Sequence, residues 1–318
     1  MKETIKIMLK GAAMGVAEVI PGVSGGTLAF ITGIYERLLT SIGSINLNLF
    51  KIYKVNGIKA VWHKIDGLFL VKLLVGMAIG FLVGLKLVVQ LLETHPIHIW
   101  SFFFGLILAS IPLVGKQVKK WSVLEMVLLV LGAVLVYWVT IAAPSQGSDD
   151  LFIVFLAGVV GVSALMLPGL SGSFILLLMG MYTIIMPAID EFTGNPFGPE
   201  TLTIVAFGSG MIFGLLTFSK VLSFTFKKYP NATLALLTGF LIGSLNKVWP
   251  WQRVLKIRTN SKGVEVVKFS ESVLPTHFSQ LSENFLYGTT PHLKIAIIIM
   301  VIAIMLVFLL DKFTPDTK

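Results

Sequence analysis

The segment PGVSGGTLAF at positions 21–30 returns as PGLSGSFILL at 168–177, 147 residues later, and each copy interrupts a long apolar stretch. Pro21 and Pro168 each remove a backbone donor, while Gly22, Gly25, Gly169 and Gly172 admit backbone angles that a helix does not use. No regular helix of membrane length can run through either place. The regions around the breaks, about 5–42 and about 151–189, are therefore each expected to be two short helices joined at a tight turn.

The apolar stretches around them identify the solvent. Of the 318 residues 55% are hydrophobic and 13% charged, with a mean hydropathy of +0.89; an ordinary soluble domain is roughly 25% charged. Six further segments, 68–92, 97–115, 122–143, 201–219, 232–249 and 292–310, meet or approach the length of a bilayer crossing, which takes about 20 apolar residues. The expected fold class is an all-α polytopic membrane protein. The amino terminus is basic and then apolar, as in a signal peptide, but Glu18 and the run into PGVSGG read as mature protein. Cysteine is absent, which removes disulfides and thiolate metal sites. The net charge of +9 fits basic loops facing the cytoplasm and anionic membrane lipids, and no helix-borne arginine run points to nucleic acid.

Loop charge orients the chain. With both broken regions as re-entrant hairpins and a cytoplasmic amino terminus, Lys51, Lys54, Lys59 and Lys64 fall inside, as do Lys116, Lys119, Lys120, Lys220, Lys227 and Lys228. Glu93, Asp149, Asp150, Asp190, Glu191 and Glu200 then fall outside, and both termini are cytoplasmic. The segment at about 250–291 departs from the rule with Arg253, Lys256, Arg258, Lys262 and Lys268, and its alternation around Ser-Lys-Gly suggests a small β-hairpin. The competing topology lets each broken region cross completely, which gives eight spans and parallel repeats.

The same offset of 147 pairs Gly11 with Gly158, Ser24 with Ser171, Gly33 with Gly180 and Tyr35 with Tyr182, and GFLVG at 80–84 is echoed by GMIFG at 210–214. Two repeats follow, 1–143 and 144–318, each a hairpin and three spans. Three is odd, so re-entrant hairpins make the halves an inverted repeat, a recurring plan of secondary transporters.

A helix that opens after each break presents unpaired N–H groups, which favour an anion. Helices are expected to begin near Thr27 and Phe174. Ser24, Gly25, Gly26 and Thr27, with Ser171, Gly172 and Ser173, then form a candidate cradle for a phosphate or carboxylate, unless the small residues serve only close packing. Glu18, an acid inside the membrane part of the first hairpin, is either a protonatable coupling group or an acceptor that braces the turn. Arg37, Lys72 and Lys86 are the basic candidates to reach a head group, while lysines near helix ends often snorkel instead. Tyr35 and Tyr182 close the cradle or anchor the hairpins. No enzyme constellation competes: His95 and His98 lack a third ligand, no serine has a histidine–acid partner, and no nucleotide or cofactor fingerprint is present.

The run from Glu18 through Pro21-Gly-Val-Ser-Gly-Gly-Thr to Gly33-Ile-Tyr35, with Pro168-Gly-Leu-Ser-Gly-Ser173, Gly180-Met-Tyr182 and GFLIGSLNKVWPW at 239–251, resembles the DUF368 family of bacterial and archaeal membrane proteins. The resemblance covers essentially the whole chain. It implies a plasma-membrane translocase that returns undecaprenyl phosphate from the outer to the inner leaflet for reuse in cell-wall synthesis, with no cofactor and with protons as a candidate coupling ion. Ser173 in place of Gly26 and Phe174 in place of Thr27 leave the second side of the cradle poorer in polar groups. A carrier of a small organic or inorganic anion, and a structural or assembly protein, are the alternatives.

Overall fold

A computed structural model describes residues 2–19, 23–259, 265–281, 284 and 287–313. Pro21 and Gly22, expected to form the first turn, lie outside the described residues. The first broken region comprises α1 (Lys2–Glu18), α2 (Gly25–Ile31) and α3 (Tyr35–Gly43). After it come α4 (Asn48–Lys64), α5 (Gly67–Thr94), α6 (Pro96–Gly115) and α7 (Val123–Ile141). The second broken region is α8 (Leu151–Met166), α9 (Gly172–Leu178) and α10 (Tyr182–Gly194), followed by α11 (Thr201–Lys228) and α12 (Pro230–Ser244). A hairpin of β1 (Gln252–Thr259) and β2 (Glu265–Ser272), the short α13 (Pro275–Phe278) and α14 (Leu293–Phe313) complete the order.

Each broken region holds three helices rather than the expected two. The additional break falls at Gly33 and at Gly180, whose φ angles of 70° and 71° lie in the left-handed region that favours glycine. The hydrogen bonds are those of a Schellman end in both places. Gly33 N–H donates to Phe30 and Ile34 N–H to Ala29, just as Gly180 N–H donates to Leu177 and Met181 N–H to Leu176. The helices after the breaks open two residues earlier than expected, because Ser24 and Ser171 occupy the N-cap position in nearly the same extended conformation, φ −117°, ψ 130° and φ −110°, ψ 129°. Ser24 Oγ accepts the Gly26 N–H at 3.1 Å.

Helix α4 replaces what reads in sequence as a connecting loop. Its apolar residues do not form one stripe because Gly57, at φ 74°, kinks it. Leu47, Phe50, Tyr53, Val55, Ile58 and Trp62 are all exposed on or beside it, among the four lysines of this segment. The strand pair is the departure from an all-α chain, and it lies where the alternation suggests. It is antiparallel, with Gln252 opposite Ser272 and Thr259 opposite Glu265.

Among the described residues four helices, α5, α6, α7 and α11, are long and apolar enough to cross a membrane, and α9 with α10 forms a broken apolar pair bent by 114°. Leu151–Met166, Pro230–Ser244 and Leu293–Leu309 are shorter apolar helical stretches. The chain is thus a polytopic membrane protein, largely α-helical. Helix α7 shows why: it buries Glu125, Gly132, Val136 and Thr140 in a stripe and leaves residues such as Leu131 and Trp138 exposed, a surface suited to lipid.

Close helix pairs are made by small residues, as expected where lipid offers no hydrophobic drive between helices. Gly76 and Gly80 of α5 lie on the Met8 and Ala12 carbonyls of α1, and Gly210 and Gly214 of α11 lie on those of Phe155 and Val159 of α8. The two contacts are built in the same way, with two glycines four residues apart on two carbonyls four residues apart. Four further helices pair between the earlier and later parts of the chain: α6 packs on α14 through Gly105 against Met300, and α12 packs on α7 through Gly239 and Gly243 against Leu129 and Ala133.

Candidate functional site

The end of α8 leaves carbonyl groups without intrahelical donors. The first break supplies those donors. Ser24 Oγ lies 3.2 Å from the Leu165 carbonyl oxygen and 3.1 Å from that of Leu167, and donates to them. Tyr35 donates its hydroxyl to the Met166 carbonyl at 2.8 Å. In the reverse direction Gly169 N–H donates to Thr27 Oγ1 at 3.0 Å. Gly169 has φ 86°, and its Cα packs against the Phe240 carbonyl and Ser244 of α12, so the second break is held from both sides.

The candidate cradle residues are thus brought together, with the two breaks in direct contact. Ser24, Thr27, Tyr35 and Ser171 are all buried, as are Gly25, Gly26 and Gly172. The hydroxyls of the first break are committed to the second. Those of the second behave differently: Ser171 and Ser173 bond to each other at 2.9 Å. Phe174, standing where the first break has Thr27, is buried and offers no hydroxyl. Tyr182 opens α10 as Tyr35 opens α3 and is half-buried. Pro168 and Gly169 lie in the turn between α8 and α9.

Glu18 ends α1 and reaches across the first break, where its Oε1 accepts the Gly25 N–H at 2.6 Å. A Cβ on Gly25 would land 2.5 Å from that oxygen. The contact is an acceptor bond to an otherwise unpaired helix-opening donor.

The three basic candidates are not gathered at the breaks. Arg37 pairs with Asp66 at 2.6 Å, and its guanidinium lies 4.3 Å from the centre of the Phe69 ring. The pair borders an exposed cleft with Glu36, Thr40, Ser41, Ser44 and Lys64. Lys86 is exposed on α5, and Lys72 is half-buried on the same helix. Two other lysines do sit against the broken helices. Lys10 of α1 donates to the Thr32 carbonyl at the end of α2, where the helix dipole favours a cation. Lys247, just past α12, holds its ammonium 4.4 Å from the centre of the Phe174 ring. The sequence signal for Lys247 is its place in GFLIGSLNKVWPW; Lys10 has no signal beyond its place in an apolar helix.

A third histidine joins His95 and His98 after all. His292, at the start of α14, lies 5.5 Å from His98 between ring centres, and His98 stacks on His95 at 5.4 Å. The three border a cleft of about 220 Å³ together with Tyr287, and His98 Nε2 is buried without a hydrogen-bond partner among the described residues. Thr94 Oγ1 donates to the Gln90 carbonyl and is left to accept from His95 Nδ1, which places that ring's free lone pair on Nε2. Among the described residues no group of three such side chains is disposed to hold a metal ion.

Comparison with known proteins identifies relatives of the chain. A family model described as "Undecaprenyl phosphate translocase-like" matches residues 14–266. A "Polyprenyl-phosphate transporter" of Vibrio cholerae serotype O1 is 40% identical over 305 residues, covering 96% of this chain and 95% of that protein. A protein of the same description from Staphylococcus aureus is 31% identical over 255 residues, covering 76% of this chain and 85% of its own length. Both relatives bear transporter names and not those of enzymes. No solved structure matches the chain.

Proposed function

The chain belongs to the undecaprenyl phosphate translocase-like family, and from that membership we propose that it transports polyprenyl phosphate across the plasma membrane as a carrier and not as an enzyme. Its direction is from the outer leaflet to the inner, which returns the lipid carrier for reuse in cell-wall synthesis. The phosphate head cannot cross hydrocarbon unaided, since a single charge at the bilayer centre costs several kcal/mol or more, ~2.5–3.5 on insertion scales. The polyprenyl tail needs no such help. A site that opens sideways carries the head while the tail stays in lipid.

The observation that carries this reading is the interlock of the two breaks through Ser24, Thr27, Tyr35 and the end of α8. Contacts between two discontinuous elements are a fitting gate: parting them frees the Ser24 and Tyr35 hydroxyls and the Gly169 N–H together. Ser24, Gly25, Gly26 and Thr27 on one side, with Ser171, Gly172 and Ser173 on the other, then receive the head group. The repeats 1–143 and 144–318, inverted about the membrane plane with both termini cytoplasmic, turn the parted site to each face by rocking. The matched caps at Ser24 and Ser171, the matched ends at Gly33 and Gly180 and the exchanged helix pairs support that two-fold plan.

Moving an anionic head towards the negative interior opposes the membrane potential by ~2.3 kcal/mol per charge per 100 mV. Proton uptake by Glu18 when the anion binds, with release inside, offsets that work. Helix α4 lies along the inner surface, where its exposed apolar side chains enter the interface and Lys51, Lys54, Lys59 and Lys64 meet anionic lipid, worth ~1 kcal/mol per basic residue.

The test is direct. Purified protein in liposomes should move labelled polyprenyl phosphate between leaflets and leave a soluble organic or inorganic anion outside. Uptake of the soluble anion without movement of the lipid would replace this reading with that of a small-anion carrier.

A further inference from the structure

The second break is poor in polar groups, yet a half-buried lysine that belongs to no ion pair among the described residues faces it. Lys247 follows α12, and its N–H donates to the Ser244 carbonyl at 2.9 Å, which continues the helical turn. The same stretch of α12 packs on the second break, where the Phe240 carbonyl and Ser244 Oγ close over Gly169. From this foothold the Lys247 side chain turns towards the hairpin, with its ammonium 4.4 Å from the centre of the Phe174 ring. Phe174 is 5% exposed and is the residue next to Ser173.

Charge makes this arrangement incomplete. An ammonium half withdrawn from water gains from a counter-charge or hydrogen-bond acceptors, because an aromatic face replaces only part of its hydration. The ion pairs among the described residues are Arg37 with Asp66, Lys116 with Asp311 and Arg253 with Glu271, and none includes Lys247. The nearest acids along the second hairpin are Asp190 and Glu191, at the far end of α10. Beside Phe174 the hydroxyls of Ser171 and Ser173 bond to each other rather than to a carbonyl of the first break. A cation that belongs to none of those ion pairs therefore stands over the ring of Phe174, one residue from the Ser171–Ser173 hydroxyl pair.

We propose that Lys247 is a head-group ligand: its ammonium pairs with the phosphate of the lipid at the second break, with Ser171 and Ser173 donating to the same oxygens. This rests on the polyprenyl-phosphate reading and completes it, because it gives the poorer side of the site its charge. The site is then asymmetric by design, with the acid Glu18 at the first break and the base Lys247 at the second. With α12 running outward from Lys227 and Lys228, Lys247 lies on the outer side and meets the head group as it enters.

The experiment uses the full chain in phosphatidylethanolamine–phosphatidylglycerol vesicles that contain fluorescent polyprenyl phosphate. Lys247→Gln should raise the half-saturating lipid concentration at least ~10-fold, the loss of about 1.4 kcal/mol, while Lys247→Arg stays within ~3-fold of wild type. Because a substitution here can disturb packing on Phe174, thermal unfolding of each variant is compared, and a second readout uses the unaltered protein. Amine acylation at Lys247, read by mass spectrometry, should fall when polyprenyl phosphate is added and not when uncharged polyprenol is added. Folded Lys247→Gln with wild-type half-saturation, or acylation that polyprenyl phosphate leaves unchanged, overturns the assignment. Failure of the wild-type protein to move the lipid at all is a different result, and it overturns the transport reading instead.

Discussion

The Thr27 hydroxyl accepts a hydrogen bond from the Gly169 N–H at 3.0 Å, across 142 positions of chain, and both groups are buried. Thr27→Val keeps the shape of the side chain and removes the acceptor, leaving a buried amide without a partner, at a cost of ~1–3 kcal/mol. Thermal unfolding in detergent should show a lowered midpoint for Thr27→Val and a near-normal one for Thr27→Ser. Combined with Tyr35→Phe, the loss should be non-additive, because both side chains hold the end of α8. An unchanged midpoint in Thr27→Val would mean that the interlock does not hold the breaks together.

Glu18 accepts the Gly25 N–H, and glutamine retains a carbonyl acceptor for that bond. Glu18→Gln should therefore keep its fold and its lipid binding. As the proton carrier proposed above, Glu18 should on the same substitution take with it the response of lipid flux to an imposed proton gradient. Flux measured in both proteins, with and without the gradient, decides the matter. Equal responses would leave Glu18 as a brace for the turn.

Two glycines that share a motif position should fail in different ways. A Cβ on Gly172 meets the Gly161 carbonyl oxygen at 2.6 Å, a backbone atom of α8, so Gly172→Ala should destabilise the protein by ~1–3 kcal/mol. On Gly25 the obstacle is the mobile end of the Glu18 side chain. Gly25→Ala should lose transport at least ~10-fold with a smaller loss of stability. Unfolding midpoints and lipid flux, measured on the same preparations, separate the two outcomes; equal stability losses would contradict the distinction.

The chain contains no cysteine, so single cysteines report topology cleanly. Asn56→Cys on α4 and Asp149→Cys before α8 are both at exposed positions. With re-entrant hairpins, a membrane-impermeant maleimide added to intact cells should label Asp149→Cys, and Asn56→Cys should react fully only after the cells are opened. Labelling of both from one face would refute the inverted arrangement.

What was legible in the sequence was local and repeated. The breaks, the pairing of Ser24 with Ser171 and of Gly33 with Gly180, and the strand hairpin all follow from residue types at short range, and each has the same cause in the structure: a cap, a left-handed turn, an alternation. The extra break in each hairpin has a short-range sign too, in Gly33 and Gly180, each a short helix beyond its cap. The kink at Gly57 hid α4 by scattering its apolar residues around the axis. Contacts between distant segments were not legible. Nothing near Arg37 marks Asp66 as its partner, and nothing near Tyr35 marks the Met166 carbonyl. Arg37, Lys72 and Lys86 stand out in sequence by their places at helix ends and within a span, whereas Lys247 reaches Phe174 because α12 folds back over Gly169.

The exchange of partners between α6 and α14 sets a clock on biosynthesis. Gly105 leaves the ribosome well before the Met300 backbone on which it lies, which belongs to α14. Until that helix arrives, the small-residue face of α6 must be tended by lipid or by an insertion partner. A polypeptide released before Leu293 has both breaks, both caps and every hydroxyl of the interlock, and still lacks the surface that closes α6.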